Sequence, residues 1–200
     1  QRILEVYRRA GRFAATVTPQ YKVLPQNRAD LIFVIDEGSK NEIHKIYFEG
    51  VTAFTTPELL KEMKTKPKGW FSWLTKSGRF DSSQLDKDLD AVLDYYRSKG
   101  YLRASSPGIR RVPQKDGRVD LIIPISEGDK YTVAGVGFGK MSVFKPEELY
   151  PALTLNTNNA YSSKKMRDDI TMIRSYYGSR GYADALVTPD IRDAGPNRVN

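Results

Sequence analysis

Residues 96–102 read YRSKGYL, and this stretch recurs as YRRAGRF at residues 7–13 and as YGSRGYA at residues 177–183. The three copies begin 89 and 81 residues apart. Self-similarity at such a period indicates repeated structural units rather than one large domain. The fold of this chain of 200 residues is therefore decided by one repeat.

A second block gives the boundaries of the repeat. Residues 28–38, RADLIFVIDEG, match residues 118–128, RVDLIIPISEG, at a distance of 90 residues, and the start of this block returns as NRVN at residues 197–200. We expect residues 1–38 to be the last half of one unit and residues 39–129 a complete unit. Residues 130–200 are expected to be a unit without its last strand, so that the chain is cut inside a repeat at both ends.

The complete unit has the pattern strand-helix-helix-strand-strand. Alternating apolar residues over 43–48 predict a strand, and Thr56 and Pro57 are typical of a helix start. The strongest helix follows, with Gly100 in the position of a left-handed C-cap. Apolar residues at the spacing i, i+4, i+7, i+8 and i+11 lie on one face of this helix: Leu85, Leu89, Val92, Leu93 and Tyr96. Two extended segments, at 102–111 and 118–126, complete the unit.

These elements predict an α+β fold with a three-stranded mixed sheet covered on one face by two helices. We expect the third strand to lie between the other two. If the helices cross one face, the first and second strands run parallel and the third returns antiparallel between them. The first and second strands would then be the two edges of the sheet.

Composition excludes several classes of protein. Hydrophobic residues make up 40% and charged residues 28%, which is enough for folded cores and excludes a disordered tail. Without cysteine, neither a disulfide framework nor a thiolate site can form. The longest apolar runs are strand-sized and far below the roughly 18–20 residues of a membrane helix. The net charge of +8 raises the question of an anionic partner.

The residues offer little for catalysis, a cofactor or a metal. His44 is the only histidine, and no Ser, Asp or Glu constellation accompanies it in the repeat. The glycine-rich residues 135–139 fall inside a predicted first strand, which lacks the strand-to-helix context of a phosphate-binding loop. Helical spacing places a set of carboxylates away from the apolar stripe and predicts a solvated face for them: Asp86, Asp88, Asp90 and Asp94.

Three repeated features of the chain resemble the POTRA (polypeptide-transport-associated) domain. They are the Tyr-Tyr-x-x-x-Gly-Tyr motif at 95–101 and 176–182, the Arg-x-Asp-Leu strand start and the Glu-Gly strand ends. Within this group the chain is most similar to the BamA family of outer-membrane barrel-assembly proteins. The motif that runs from Glu37-Gly38 to Glu58-Leu59 is similar to the start of the third POTRA domain of that family. The resemblance implies the end of a second, a whole third and most of a fourth POTRA domain.

Two regions are candidate partner-binding sites. The second strand of the complete unit is a predicted edge, at which a client strand could add by backbone hydrogen bonds; its candidate residues are Leu102, Ser105, Ile109 and Arg111. Pro107 and Gly108 interrupt it and predict a bulge. The second region is a nine-residue insertion near 64–80, where basic residues surround Trp70, Phe71 and Trp73. Folding of these aromatics onto their own module and contact with a partner are both open readings.

The resemblance implies a non-enzymatic scaffold on the periplasmic side of the bacterial outer membrane. Its expected partners are unfolded outer-membrane proteins, accessory assembly lipoproteins and the protein's own C-terminal membrane β-barrel, with no nucleic acid. One alternative is a related POTRA transporter for two-partner secretion or organelle import. A second is a basic nucleic-acid-binding repeat protein. Short linkers at 38–41 and 128–130 predict limited bending between units.

Overall fold

The computed structural model of the chain describes residues 2–10, 12, 15–26, 28–37, 42–67, 82–114 and 118–200. Two compact units divide them. The first comprises Gln1–Ala91 and Pro107–Pro124, and the second comprises Val92–Ser106 and Ile125–Asn200. Among the described residues, no helix combines the length and the apolar character needed to cross a membrane.

The first unit opens with helix α1, Arg2–Arg9, and a hairpin. Strands β1, Thr16–Leu24, and β2, Arg28–Asp36, pair antiparallel over their whole length. Gln26 has a φ of 65° in the tight turn between them. All nine residues of β2 are exposed, and the Tyr7 hydroxyl donates to the Glu37 carboxylate at 3.3 Å.

A three-stranded sheet follows in the same unit. It consists of β3, Ile43–Glu49, β4, Arg110–Pro113, and β5, Val119–Pro124, in the order β3-β5-β4. The prediction that the third strand lies in the middle is confirmed, and so is its antiparallel pairing with the second strand, β4. The predicted direction of the first strand is wrong, because β3 runs parallel to β5 and therefore antiparallel to β4. The long crossover that parallel neighbours require runs from β3 to β5 and includes β4, which joins β5 through a short turn.

Alternate side chains bury one face of this sheet. On β5, Val119, Leu121 and Ile123 are buried while the residues between them are only half-buried. Ile43 and Ile46 of β3 are both buried although three positions apart, because the β3–β5 register shifts between them. Such an irregularity adds one residue and returns the next side chain to the same face.

Two helices belong to the complete repeat. Helix α2, Thr56–Glu62, has Thr55 as its N-cap, one residue before the predicted start, and the Thr55 N–H donates to the Glu58 carboxylate at 2.8 Å. Helix α3, Ser82–Ser98, buries the apolar stripe that its spacing predicts. Its most buried apolar residues are Leu85, Val92, Leu93 and Tyr96, and Leu89 is half-buried.

The predicted solvated face of α3 is wrong for Asp88, which is 1% exposed. Its carboxylate accepts the backbone N–H groups of Lys64 at 2.8 Å and Thr65 at 2.9 Å, and the Gln84 amide at 2.9 Å. Asp169, 81 residues later, is 4% exposed and accepts the N–H groups of Thr154 and Leu155. In both repeats, therefore, a buried aspartate satisfies the backbone of the segment that precedes the long helix.

The second unit holds the last repeat. Its elements are β6, Thr132–Val133, helix α4, Pro146–Leu149, a 3₁₀ turn, Tyr150–Ala152, helix α5, Ser163–Gly178, and β7, Arg198–Val199. Strands β6 and β7 are parallel, with Val133 opposite Val199. This pair is the repeat equivalent of Ile43 opposite Val119 in the β3–β5 pair. The core consists of Tyr131, Val133, Leu155, Tyr161 and Val199.

Beside that core lies a cavity of about 480 Å³. Most of its lining is apolar, including Val136, Phe138 and Leu186. The glycine-rich residues 135–139 line this cavity outside any regular strand, contrary to the prediction of a strand there.

Candidate functional site

The candidate site is the outer edge of β4, where the sheet of the first unit ends. Among the described strands, β4 pairs only with β5. The Gln114 N–H donates to the Arg118 carbonyl at 2.8 Å, and backbone direction alternates from residue to residue along an antiparallel pair. The backbone groups of Val112 and Arg110 therefore face β5, and those of Arg111 and Pro113 face outward.

This edge offers a short hydrogen-bonding pattern. The N–H and the carbonyl of Arg111 point away from β5, whereas Pro113 points only a carbonyl in that direction because proline has no N–H. Four exposed residues form the strand. A strand that added here would gain only a few ladder bonds, so its affinity would be modest and tolerant of sequence.

The strand predicted over 102–111, with an interruption at Pro107 and Gly108, is shorter in the structure, where regular pairing covers only Arg110–Pro113. Ser105 makes an isolated antiparallel bridge to Ser126, with N–O distances of 3.0 and 2.9 Å, and belongs to the second unit. Residues 106–109 then interrupt the regular pairing, since Pro107 cannot donate to a ladder and Gly108 has a φ of +117°. Regular pairing resumes at Arg110 in the first unit.

The structure therefore separates the four candidate edge residues. Arg111 is exposed on β4, and Ile109 is half-buried immediately before that strand. Ser105 lies on its bridge to Ser126. Leu102 is half-buried and packs against the core of the last repeat instead of lying on an edge. Only Ile109 and Arg111 adjoin or occupy β4.

Charged side chains and exposed apolar side chains both occur on β4 and on β3 of the same sheet. The Arg110 guanidinium pairs with the Glu49 carboxylate of β3. Val112 is 39% exposed and Tyr47 of β3 is 45% exposed. An arginine beside an exposed apolar residue suits recognition of a polypeptide strand.

The insertion candidates Trp70, Phe71 and Trp73 lie outside the described residues. Their role in partner binding stays a prediction.

His44 has an acidic neighbour that the repeat pattern did not reveal. Its Nδ1 lies 3.0 Å from Asp120 Oδ1, and the Gln114 amide donates to the other Asp120 oxygen at 2.8 Å. The parallel register could have indicated this pair, because Ile43 opposite Val119 makes the next residues neighbours. Within the described part of the chain, the hydrogen bonds of this pair reach no serine or threonine hydroxyl, and no group of three potential metal ligands occurs. Two polar side chains thus fix Asp120 on the sheet surface.

Comparison with known proteins gives consistent results. The POTRA family model, described as a surface antigen variable number repeat, matches residues 41–128 and 131–200. The outer membrane protein assembly factor BamA of Neisseria meningitidis serogroup B is 29% identical, over 90% of this chain and 23% of that protein. BamA of Nitratidesulfovibrio vulgaris is 27% identical, over 100% of this chain and 26% of that protein. The chain thus spans about a quarter of the length of these relatives.

A solved structure shows the same fold. The crystal structure of POTRA domains 3–5 of Haemophilus influenzae BamA superposes with a TM-score of 0.60 at 14% identity, covering 99% of this chain and 74% of that one. At this identity the likeness concerns the fold alone, which agrees with the mixed sheets and helices described above.

Proposed function

Since the chain belongs to the POTRA family, we propose that it is a non-enzymatic scaffold on the periplasmic side of the bacterial outer membrane. The resemblance to BamA-type POTRA domains is confirmed, as is the α+β fold of tandem repeats. In this proposal the chain is part of an outer-membrane assembly factor. The names of its relatives support that role.

Guidance of unfolded outer-membrane proteins by β-augmentation is the mechanism that we propose. The observation that carries it is the position of β4 at the edge of its sheet. Backbone bonds recognise any extended strand, so one edge can serve many clients. The edge strand is only four residues long, so each encounter is weak, which suits a site that must release its client toward the membrane.

The same proposal includes two further partners, accessory lipoproteins and the protein's own membrane barrel. It also assigns the three repeats as the second, third and fourth POTRA domains. Residues 1–38, 39–129 and 130–200 are proposed as its domains. The family-model matches at 41–128 and 131–200 support the second and third of these ranges. Leu102, Ser105 and the aromatic insertion residues remain proposed contact positions beside Ile109 and Arg111.

One substitution separates backbone recognition from side-chain recognition. Arg111→Pro removes the outward N–H while proline remains compatible with an edge strand. Arg111→Ala keeps that N–H and removes only the guanidinium, so it is the matched control. The loss of one net hydrogen bond predicts roughly two- to tenfold weaker binding for the proline variant alone.

The assay uses photo-crosslinkers at Ile109 and Ser105, with a third at the exposed Lys87 of α3 as a control. An unfolded outer-membrane β-barrel protein is the probe, and an unfolded helical protein is the comparison. We expect capture of the barrel protein at Ile109, weakened by Arg111→Pro and not by Arg111→Ala. Equal capture by both variants would refute the augmentation mechanism, and equal capture of both probes would refute the client class.

A further inference from the structure

The two faces of the three-stranded sheet differ, and β4 carries this difference to the outer edge. Along β5, buried side chains alternate with half-buried ones, which are Asp120, Ile122 and Pro124. We call the face that carries these three residues the open face and the other the buried face. Residues directly opposite each other on neighbouring strands point to the same face. The strand registers therefore assign the side chains of β3 and β4 to one face or the other.

The open face has apolar surface that reaches the edge. On β4, Arg110 lies opposite Ile122 and Val112 lies opposite Asp120. On β3, Tyr47 also lies opposite Ile122. Val112 and Tyr47 are exposed, and Ile122 between their strands is half-buried. A strand added beside β4 would thus extend an apolar surface if it placed an apolar side chain next to Val112.

The charged groups of the open face are matched within the sheet. The Arg110 guanidinium pairs with the Glu49 carboxylate, and Glu49 lies opposite Pro124. The His44 Nδ1 lies 3.0 Å from Asp120 Oδ1. An added strand therefore does not have to supply charged partners to these side chains, and apolar side chains are compatible with this side of the edge.

The other side of the edge has a different chemistry. Arg111 lies opposite Leu121 and Pro113 opposite Val119, so both side chains belong to the buried face, although both residues are exposed at the edge. An apolar side chain opposite Arg111 would remove water from a guanidinium, which costs free energy. A polar or acidic side chain there avoids that cost, so the two sides of the edge favour different client side chains.

Backbone geometry makes Val112 the closest side-chain contact for an antiparallel client strand. The Gln114 N–H donates to the Arg118 carbonyl at 2.8 Å, so by alternation Val112 turns its backbone groups toward β5 and Arg111 turns its own outward. A client residue opposite Arg111 then forms a hydrogen-bonded pair. A client residue opposite Val112 forms a non-hydrogen-bonded pair, in which the side chains lie closer together.

We propose that Val112 is a specificity-determining residue of the β4 edge, a role that rests on the proposed strand addition. It selects extended segments in which apolar and polar residues alternate. The apolar side of such a segment lies on the open face beside Val112, and its polar side lies beside Arg111. Strands of membrane barrels have this alternation, so the edge recognises a pattern of side chains and not one fixed sequence.

Two ten-residue peptides of equal composition test this selection. In the first, valine alternates with threonine and glutamate, and in the second the valines are grouped, so that no register places valine beside Val112 and a polar residue beside Arg111. NMR titration of the full chain gives both dissociation constants. We expect the alternating peptide to bind roughly two- to fivefold more tightly. A benzophenone at one of its valine positions should cross-link to Val112 or Arg110.

Substitutions at the edge provide the second test. Val112→Thr keeps a β-branched side chain and replaces a methyl group with a hydroxyl, and it should weaken binding of the alternating peptide by roughly two- to fivefold. Val112→Phe should strengthen that binding by a similar factor, because aromatic and β-branched side chains pair well across strands. Val143→Thr is the matched control and should change nothing, since Val143 has a similar exposure in the last repeat.

The outcomes separate this selection from strand addition itself. Equal affinity for the two peptides, or a Val112→Thr variant that binds as tightly as Val143→Thr, would overturn the selection and leave the proposed function standing. A cross-link from the valine position to Arg111 would overturn it in the same way. If neither peptide binds the unsubstituted chain, both the proposed function and the selection are wrong.

Discussion

Replacement of the buried Asp88 by asparagine should destabilise the complete repeat more than any surface change on the same helix. The two oxygens of Asp88 accept separately, one from the Lys64 N–H and the other from the Thr65 N–H. In asparagine an NH2 donor replaces one of these oxygens, so one N–H would face another donor. The backbone N–H of either Lys64 or Thr65 therefore loses its partner. Thr65 is only 8% exposed, so water does not readily replace that partner. The bonds that remain also lose the strength that a charged acceptor gives them.

The magnitude follows from these two losses. An unsatisfied buried N–H costs roughly 1–3 kcal/mol, and the loss of charge on the remaining bonds adds roughly 1 kcal/mol. We expect a decrease of about 2–4 kcal/mol in the free energy of unfolding. Urea unfolding followed by circular dichroism measures it, and faster amide exchange at Lys64 and Thr65 locates it.

Asp90→Asn is the control, with an expected change within about 0.5 kcal/mol because Asp90 is exposed on the same helix. If Asp88→Asn and Asp90→Asn unfold at the same urea concentration, the buried carboxylate is not what holds the segment after α2. Asp169→Asn repeats the test in the last repeat.

The same carboxylate predicts a pH dependence. Burial works to raise the pKa of Asp88, but hydrogen bonds from Thr65, Lys64 and Gln84 hold it below its ordinary value. A lowered folded-state pKa means that the stabilisation is present above about pH 4, the unfolded value, and is lost as the pH falls through the folded value. The Asp88→Asn variant should therefore lose less stability on acidification than the unsubstituted chain.

Two further changes test contacts that recur in the repeat. Tyr96→Phe removes the hydroxyl that donates to Glu127 at 2.7 Å, and we expect a loss of about 1 kcal/mol in urea unfolding; a variant as stable as the parent would show that the bond contributes nothing. Gly100→Ala should lower the melting temperature more than Gly181→Ala, because both glycines have positive φ but only Gly100 has the Lys130 side chain within 4 Å. Equal losses would mean that the close approach to Lys130 is unimportant.

Local patterns in the sequence predict most of the fold. Repeated motifs give the order strand-helix-helix-strand-strand, and the apolar stripe of α3 is buried as its spacing requires. Binary patterning succeeds here because burial of a stripe or of alternate strand residues depends on neighbours within the same element. The predicted direction of β3 relative to β5 was wrong, because it depends on which strands the crossover connects.

Polar residues were harder to place. Spacing assigned Asp88 to solvent, since a helical wheel shows which side a residue occupies but not which loop lies over that side. The pairing of His44 with Asp120 depends likewise on the β3–β5 register. For the candidate edge, Pro107 and Gly108 indicated an interruption, but only the pairing pattern limits β4 to Arg110–Pro113.

The sequence by itself determined the repeat, its elements and its family resemblance, because these are properties of local pattern and composition. The tertiary structure alone decided the contacts of Leu102 and Asp94. Both residues look like parts of the middle repeat, yet Leu102 packs on the core around Tyr131 and Asp94 pairs with Arg167, 73 residues later. Apolar burial and charge pairing depend on distance in space, and residues of neighbouring repeats come together only when the chain has folded.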